Sequence, residues 1–421
     1  MAKKKILIHS IVFSPDGVST AYLYNDIAKR FQEEGYEVIV LTTTPHYNVL
    51  KSELDKQVLK KNLFGLYYES DFQGIRVVHV TQKKYKNTTL RILGFIYWHI
   101  LSLVLGLAQK NVSLILSPSP PLTIGVINLI IGKIKGAKVI YNVQEIYPDF
   151  LLNQGQLKFS PLISLLRGME RLVYNKSDAT TTIDKVFYNT ISPRFLDKRK
   201  LHIIPNFVDT NIYKPLAEDG QMLDPNYFAA RGNSLKVMYA GNIGHAQSWE
   251  PLLSLAQLLL NENVEFWVIG EGVMKEYIEE QIVNRGLINI HIVPYQPRHL
   301  MPRLIAFADL HFIFMAKEME GQGFPSKVYT IMACSKPLLI ISGRETPIYH
   351  FLESLECAYL ISNVVLTEQV AIMVDIISKN LNDKSQLVTM GKKGYEVIQR
   401  SYTSDKVTEQ YVDLANQLLI A

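Results

Sequence analysis

Leu235-Lys236-Val237-Met238-Tyr239-Ala240-Gly241-Asn242-Ile243-Gly244 is a short apolar run that breaks on two glycines. Six residues of this kind closed by glycine read as a buried strand, and the glycine lets a ligand come close to the backbone. An amphipathic stretch follows, and the same alternation repeats in both directions along the chain. Apolar runs at 6–13, 38–42, 75–80, 113–116, 138–143 and 179–183 come before it. Runs at 264–269, 290–293, 310–315, 338–341 and 358–361 come after it. Continuous apolar runs separated by helical stretches predict parallel sheets covered by helices, an α/β architecture with one doubly wound unit in each half.

The length of 421 residues also calls for two cores. The expected division is an N-terminal, acceptor-side domain at 1–205, a linker at 206–233 and a C-terminal, nucleotide-binding domain at 234–400. A terminal helix at 401–421 carries Val407, Tyr411, Leu414 and Leu418 on one side. It either caps the second domain or crosses back to the first.

Lys and Arg total 44 against 39 Asp and Glu, a net charge of +5. That mild excess suits phosphates or an anionic membrane face and does not describe a nucleic-acid binder. Cys334 and Cys357 lack metal-ligand spacing and read as two reduced, buried thiols of a cytoplasmic protein. The start at Lys3-Lys4-Lys5 is basic, but 6–13 is short and runs into Ser14-Pro15-Asp16-Gly17 without a cleavage site, so it reads as a first buried strand.

Open parallel sheets bind ligands beyond the carboxyl ends of their strands. In the first half this points to Gly17, for close backbone approach, with Ser19 or Thr20 capping the next helix. In the second half it points to Gly241, Asn242, Gly244 and His245, a turn able to cradle phosphate. His245 either donates to that phosphate or is a solvated loop residue. Most informative is Gln322-Gly323-Phe324-Pro325-Ser326-Lys327-Val328-Tyr329-Thr330 after the run at 310–315. Pro325 is expected at the first helical position, with the N–H groups of Ser326, Lys327 and Val328 free to meet a diphosphate and Lys327 adding a charge.

Several of these segments, in order, resemble glycosyltransferase family 4, whose fold is GT-B. They are Phe13-Ser14-Pro15-Asp16-Gly17, Pro205-Asn206-Phe207-Val208-Asp209, Tyr239-Ala240-Gly241-Asn242-Ile243-Gly244 and Pro325-Ser326-Lys327-Val328-Tyr329. Tyr141-Asn142-Val143-Gln144-Glu145-Ile146-Tyr147-Pro148-Asp149 is similar to a bacterial branch that builds O-antigen, capsule and exopolysaccharide repeats. The resemblance implies two Rossmann-like domains facing across a cleft and a nucleotide-sugar donor, commonly UDP-linked. It also implies retention of anomeric configuration and no metal or other cofactor.

The chain departs from the family at its best-known signature. Gln322 and Thr330 stand where the family has a pair of glutamates, leaving hydrogen-bonding side chains without charge. Asn242 and Ser248 stand where the family has Arg and Lys after the glycine strand. Lys327 is thereby expected to carry most of the diphosphate charge. Gln144-Glu145 occupies a loop where many members have His. Glu145, at the carboxyl end of the run at 138–143, is the expected catalytic partner of Lys327. It would take or orient the acceptor proton, unless it is a capping or interdomain carboxylate. Asp149 and His46 are further acceptor-side candidates.

The stretch 90–108 is apolar with little polar face, and Lys83, Lys84, Lys86 and Arg91 lie beside it, with Lys56, Lys60 and Lys61 earlier. It reads as a helix docked on an anionic leaflet, or as a fully buried helix. A span would cut a Rossmann domain in two. The resulting expectation is a cytoplasmic glycosyltransferase, peripheral at the inner face of the plasma membrane, using a lipid-linked glycan acceptor. A sugar-nucleotide epimerase and a non-catalytic scaffold are the competing readings, the latter taking the lost carboxylate pair at face value.

Overall fold

The computed structural model describes residues 3–420 except 48, 50, 83–86, 154, 156, 217–222, 230, 231, 321, 322, 363 and 364, with only the backbone at 51–53 and 88. Gln322 and the lysines at 83, 84 and 86 therefore lie outside the described residues. The chain forms two compact units, Met1–Asn206 with Ser404–Ala421, and Phe207–Thr403.

The first unit contains β1 (Lys5–His9), β2 (Glu37–Thr43), β3 (Lys60–Asn62), β4 (Tyr67–Phe72), β5 (Ile75–Val80), β6 (Val112–Pro118), β7 (Lys138–Val143), β8 (Ala179–Thr182) and β9 (Leu201–Ile203). Their order is β3-β4-β5-β2-β1-β6-β7-β8-β9. All neighbours pair in parallel except β3–β4 and β4–β5, which form an antiparallel edge. The strand order reverses between β1 and β6, which opens a crevice beyond their carboxyl ends.

The second unit contains β10 (Leu235–Ala240), β11 (Val264–Ile269), β12 (Ile290–Val293), β13 (Leu310–Phe314), β14 (Leu338–Ile341) and β15 (Ala358–Ile361), ordered β12-β11-β10-β13-β14-β15 and wholly parallel. Its switch point lies between β10 and β13. The strands here are buried on both faces, with Val237, Phe266, Phe312 and Leu339 in one cluster and Met238, Trp267 and Ile269 in another. This two-sided burial is why the runs read as continuous.

Two boundaries differ from the sequence reading. The described residues of 207–233 do not stand apart as a linker, because Val208 bridges to Thr403 and Val208, Tyr213, Leu223 and Phe228 are buried in the second unit. The helix Ser404–Ile420 packs in the first unit through buried Val407, Tyr411 and Leu414. Asn142 locks it there, donating to the hydroxyls of Tyr411 (3.1 Å) and Thr181 (2.8 Å) and accepting from Tyr24 (3.1 Å). A buried amide with its partners supplied fixes one packing arrangement.

Candidate active site

The second-unit site is built on the ends of β10 and β11 and on the helix Lys327–Ala333. The Lys327 ammonium lies 3.8 Å from the centroid of the Tyr239 ring. It also lies close to Gly241, where a Cβ would come within 2.5 Å of Nζ. Lys327 and Gly241, predicted separately from sequence, thus converge. Burial, with no partnering carboxylate among the described residues, pushes the Lys327 pKa from 10.5 down to about 7. A desolvated ammonium with only a ring face beneath it favours an incoming anion.

Several donor-side expectations change. The helix opens at Lys327 with Ser326 as its cap residue, so Pro325 precedes it rather than starting it. The Val328 N–H donates to the Pro325 carbonyl (3.0 Å) and the Val328 side chain is core, so this N–H is not offered to phosphate. The Thr330 hydroxyl donates to the Lys327 carbonyl (2.9 Å). The segment is held from behind by aromatic packing of Phe324 on Tyr329 and Phe351, with centroids 5.0 and 5.3 Å apart. Gly244 is buried beneath the Asn242 side chain and is no open cradle, whereas Gly241, Asn242 and His245 are exposed.

Sequence reasoning missed Gly270 and Gly272. The Gly241 N–H donates to the Ile269 carbonyl and the Ile243 N–H to the Glu271 carbonyl, both at 2.9 Å. Gly270 has φ +144°, and a Cβ there would overlap the Gly241 carbonyl oxygen. A Cβ on Gly272 would overlap the Ile243 carbonyl oxygen. The signal was present as Ile269-Gly270-Glu271-Gly272 after an apolar run, a second glycine pair one strand away.

Beyond β13, β14 and β15 a cavity of about 280 Å³ is lined by Ser248, Met315, Glu320, Ser342, Gly343 and Gln369, among others. The Glu320 carboxylate accepts from the Gly343 N–H (2.5 Å) and so ties the loop after β13 to β14.

The first-unit site lies at its own switch point. A cavity of about 280 Å³ is lined by Ser10 and Val12 after β1, Thr20, Tyr47, Pro120 after β6, and Glu145 after β7. The Ser119 hydroxyl donates to the Glu145 carbonyl (2.9 Å), while Gln144 pairs with Asn206 through both amides (2.9 Å each). With the loop fixed, the Glu145 carboxyl hydrogen-bonds the Tyr147 hydroxyl, and burial raises its pKa from 4.5 to about 7. A carboxyl poised there suits proton transfer at neutral pH.

The other first-unit candidates have structural partners. The Gly17 N–H donates to the Tyr47 carbonyl (2.8 Å) rather than standing free. The helix Ser19–Glu33 is preceded by Val18, with no side-chain cap, so neither Ser19 nor Thr20 caps it. His46 Nδ1 lies 2.9 Å from the Thr44 carbonyl and 3.1 Å from the Thr43 hydroxyl. Asp16, buried beneath, accepts from the backbones of His46 and Tyr47 (2.8 and 2.7 Å) and thereby positions Tyr47 at the cavity. Asp149 faces the Arg194 guanidinium, which also holds the buried carboxylate of Glu170. Asp149 is not among the residues lining the cavity.

Both units match known families. Residues 21–212 match the model of Glycosyltransferase Family 4, and residues 224–397 match that of the Glycosyl transferases group 1. The chain belongs to the family 4 glycosyltransferases. Among curated relatives of this glycosyltransferase, WcaI of Escherichia coli, described as a colanic acid biosynthesis glycosyl transferase, is 22% identical over 358 residues, covering 83% of this chain and 86% of WcaI. The solved sucrose-phosphate synthase of Thermosynechococcus elongatus superposes with TM-score 0.75 at 12% identity, over 99% of this chain and 100% of the other. HepE of Anabaena, solved in complex with UDP, gives 0.71 at 15% identity over 98% and 100%. The fold is thus GT-B, and the protein is an enzyme of the glycosyl-transfer class; the matches do not favour an epimerase or a scaffold.

Proposed function

We propose that this enzyme moves a sugar, with retention and without a metal ion, from a UDP-linked donor to a lipid-linked glycan in bacterial surface-polysaccharide synthesis. The observation that carries the reading is the desolvated Lys327 ammonium against Gly241 at the end of β10, with no carboxylate partner among the described residues. A diphosphate placed there gains its charge partner from Lys327, in the role a metal ion fills elsewhere, as the glycosidic bond breaks. Glu145 then accepts or orients the acceptor hydroxyl proton.

HepE, solved with UDP, supports the choice of nucleotide, and the similarity to WcaI, a colanic acid biosynthesis glycosyl transferase, supports a surface polysaccharide as product. A lipid-linked acceptor is supported by the helix Thr88–Ala108, whose outward residues Ile92, Ile96, Ile100 and Val104 are each about half exposed. This is not the wholly buried helix that was the alternative expectation, although Trp98 on its inner side is fully buried. Incubation with a panel of UDP-sugars and polyprenyl-diphosphate-linked acceptors, in EDTA, tests the reading. Product with the donor anomer's configuration is expected. Loss of turnover on chelation, or absence of binding by every UDP-sugar, would overturn it.

A further inference from the structure

We infer that Tyr47 is a stacking platform for the terminal sugar ring of the acceptor, and that buried Asp16 is the positioning residue that holds it at the first-unit cavity. This rests on the glycan acceptor just proposed and names the part of that acceptor the cavity takes.

The mount comes from two loops laced together. Asp16, in the loop after β1, is 2% exposed, and its carboxylate accepts the backbone N–H groups of His46 and Tyr47 (2.8 and 2.7 Å) in the loop after β2. The Gly17 N–H donates to the Tyr47 carbonyl (2.8 Å), and the Thr43 hydroxyl donates to the Ile11 carbonyl (2.7 Å). Tyr47 is therefore gripped at both its N–H and its C=O by one neighbouring loop. The His46 ring packs beside the Tyr47 ring, with centroids 4.1 Å apart. Held in this way, the Tyr47 ring is still 38% exposed and lines the cavity. An aromatic side chain fixed in advance spares a ligand the cost of ordering it.

Shape and charge select the occupant. At about 280 Å³ the cavity lies at the small end of ligand pockets, with room for one sugar ring. Ile11, Val12, Val18 and Pro120 give it apolar walls, while Thr20 and Glu145 supply polar groups. No cationic side chain is among the described residues that line it, and Glu145 brings a carboxyl. The diphosphate of a carrier lipid would find no charge partner there. A sugar ring meets both conditions. Its C–H bonds, made electropositive by the attached oxygens, face the negative surface of an aromatic ring, and its rim hydroxyls suit a hydroxyl and a carboxyl as partners.

Saturation-transfer NMR of the full chain with methyl glycosides of glucose, galactose, N-acetylglucosamine and fucose, without donor, tests the assignment. At least one glycoside should bind, with its C–H protons the most strongly saturated. Tyr47→Ala should weaken that binding about tenfold, and Tyr47→Phe should keep it within about twofold. Asp16→Ala should weaken it about fivefold or more, whereas Asp16→Asn, which retains an accepting oxygen, should restore it. UDP affinity should stay at the wild-type value in every variant. In turnover, acceptor KM should rise in Tyr47→Ala and Asp16→Ala with kcat little changed. Glycoside binding undiminished in Tyr47→Ala, or no binding to the wild type, would overturn the platform. Farnesyl diphosphate bound equally by wild type and Tyr47→Ala, and displacing the glycoside, would make this a lipid-phosphate site instead. Lipid-linked acceptors turned over with an unchanged KM in Tyr47→Ala would defeat the platform and leave the proposed reaction standing. Glycoside binding that needs Tyr47, in a protein that turns over no lipid-linked acceptor, would do the reverse.

Discussion

The Lys327 ammonium rests on the face of the Tyr239 ring, 3.8 Å from its centroid, with no described carboxylate in ion-pairing reach. The lysine is therefore held in wait, short of a counter-charge that the ring only partly replaces. Removing it should be felt in binding before anything else. Lys327→Ala should weaken UDP about 10- to 100-fold by calorimetry. Lys327→Met should lose binding similarly yet stabilise the free protein at pH 7 or below by about 1–2 kcal/mol after allowing for partial exposure, seen as a higher melting temperature. An unchanged affinity for UDP in both variants would remove Lys327 from the site.

The same lysine gives binding a pH signature. Its pKa in the folded protein, about 7, is depressed from 10.5, so between these values the unfolded chain binds more protons. The stability penalty of burial is thus full below pH 7 and fades as pH rises toward 10.5. Binding runs the other way, because the ammonium form meets the diphosphate. UDP affinity should fall up to about tenfold per pH unit above 7, and binding at pH 8 should take up a proton, visible in calorimetry across buffers of different ionisation enthalpy. Binding without proton uptake at that pH contradicts the assignment.

Glu145 has the opposite disposition. Burial raises its pKa from 4.5 to about 7, so the folded protein keeps a proton that the unfolded chain releases in that window. Its stability contribution declines as pH rises from 4.5 to 7, and the carboxylate needed for proton transfer forms only near pH 7. With the donor saturating, kcat/KM for the acceptor should therefore climb to a plateau through about pH 7 on the acid side. Glu145→Gln should remove that limb, lower turnover by about 10²- to 10⁴-fold and raise the melting temperature above pH 7. A variant with the wild-type pH profile would leave Glu145 as a structural carboxyl.

The two glycines of the β10–β11 turn separate fold from function. Gly270→Ala puts a methyl group into the Gly241 backbone at φ +144°, where neither partner is a flexible side-chain end. It should cost about 2 kcal/mol or more and lower the midpoint of urea unfolding. Gly241→Ala, at φ +152°, meets instead the far end of Lys327. Its larger effect should be on UDP affinity, through displacement of the ammonium. If Gly241→Ala binds UDP normally, the juxtaposition with Lys327 has no role in the site.

The architecture was legible because strands buried on both faces write continuous apolar runs, as at 264–269, and the glycines at 241 and 244 marked the decisive turn. The β3–β4 edge was not legible, since Lys60-Lys61-Asn62 and Tyr67-Tyr68-Glu69-Ser70-Asp71 are polar and only partly covered. Of the site, the meeting of Lys327 with Gly241 and the place of Glu145 at a cavity followed from strand ends alone. What sequence could not supply was direction. Whether the Val328 N–H faced a ligand or the Pro325 carbonyl depended on where the helix began, two residues beyond Pro325. Asp149 likewise found a partner 45 positions away in Arg194, a pairing that no local pattern marks.

That pairing yields the last prediction. Arg194 joins Asp149 to Glu170, and Glu170 is almost wholly buried, with its pKa raised by burial despite the guanidinium beside it. Arg194→Met would strand the Glu170 carboxyl and should cost about 2–4 kcal/mol, most severely at alkaline pH where the group must ionise. Asp149→Asn leaves the Arg194–Glu170 contact in place, so it should cost about 1 kcal/mol or less. If Asp149 serves this network, the Asn variant lowers the melting temperature slightly and keeps kcat and the acceptor KM within about twofold. If Asp149 instead holds the acceptor, KM for that substrate rises about tenfold or more at an unchanged melting temperature. Steady-state kinetics with varied acceptor, run beside thermal unfolding of the same two variants, separates these outcomes.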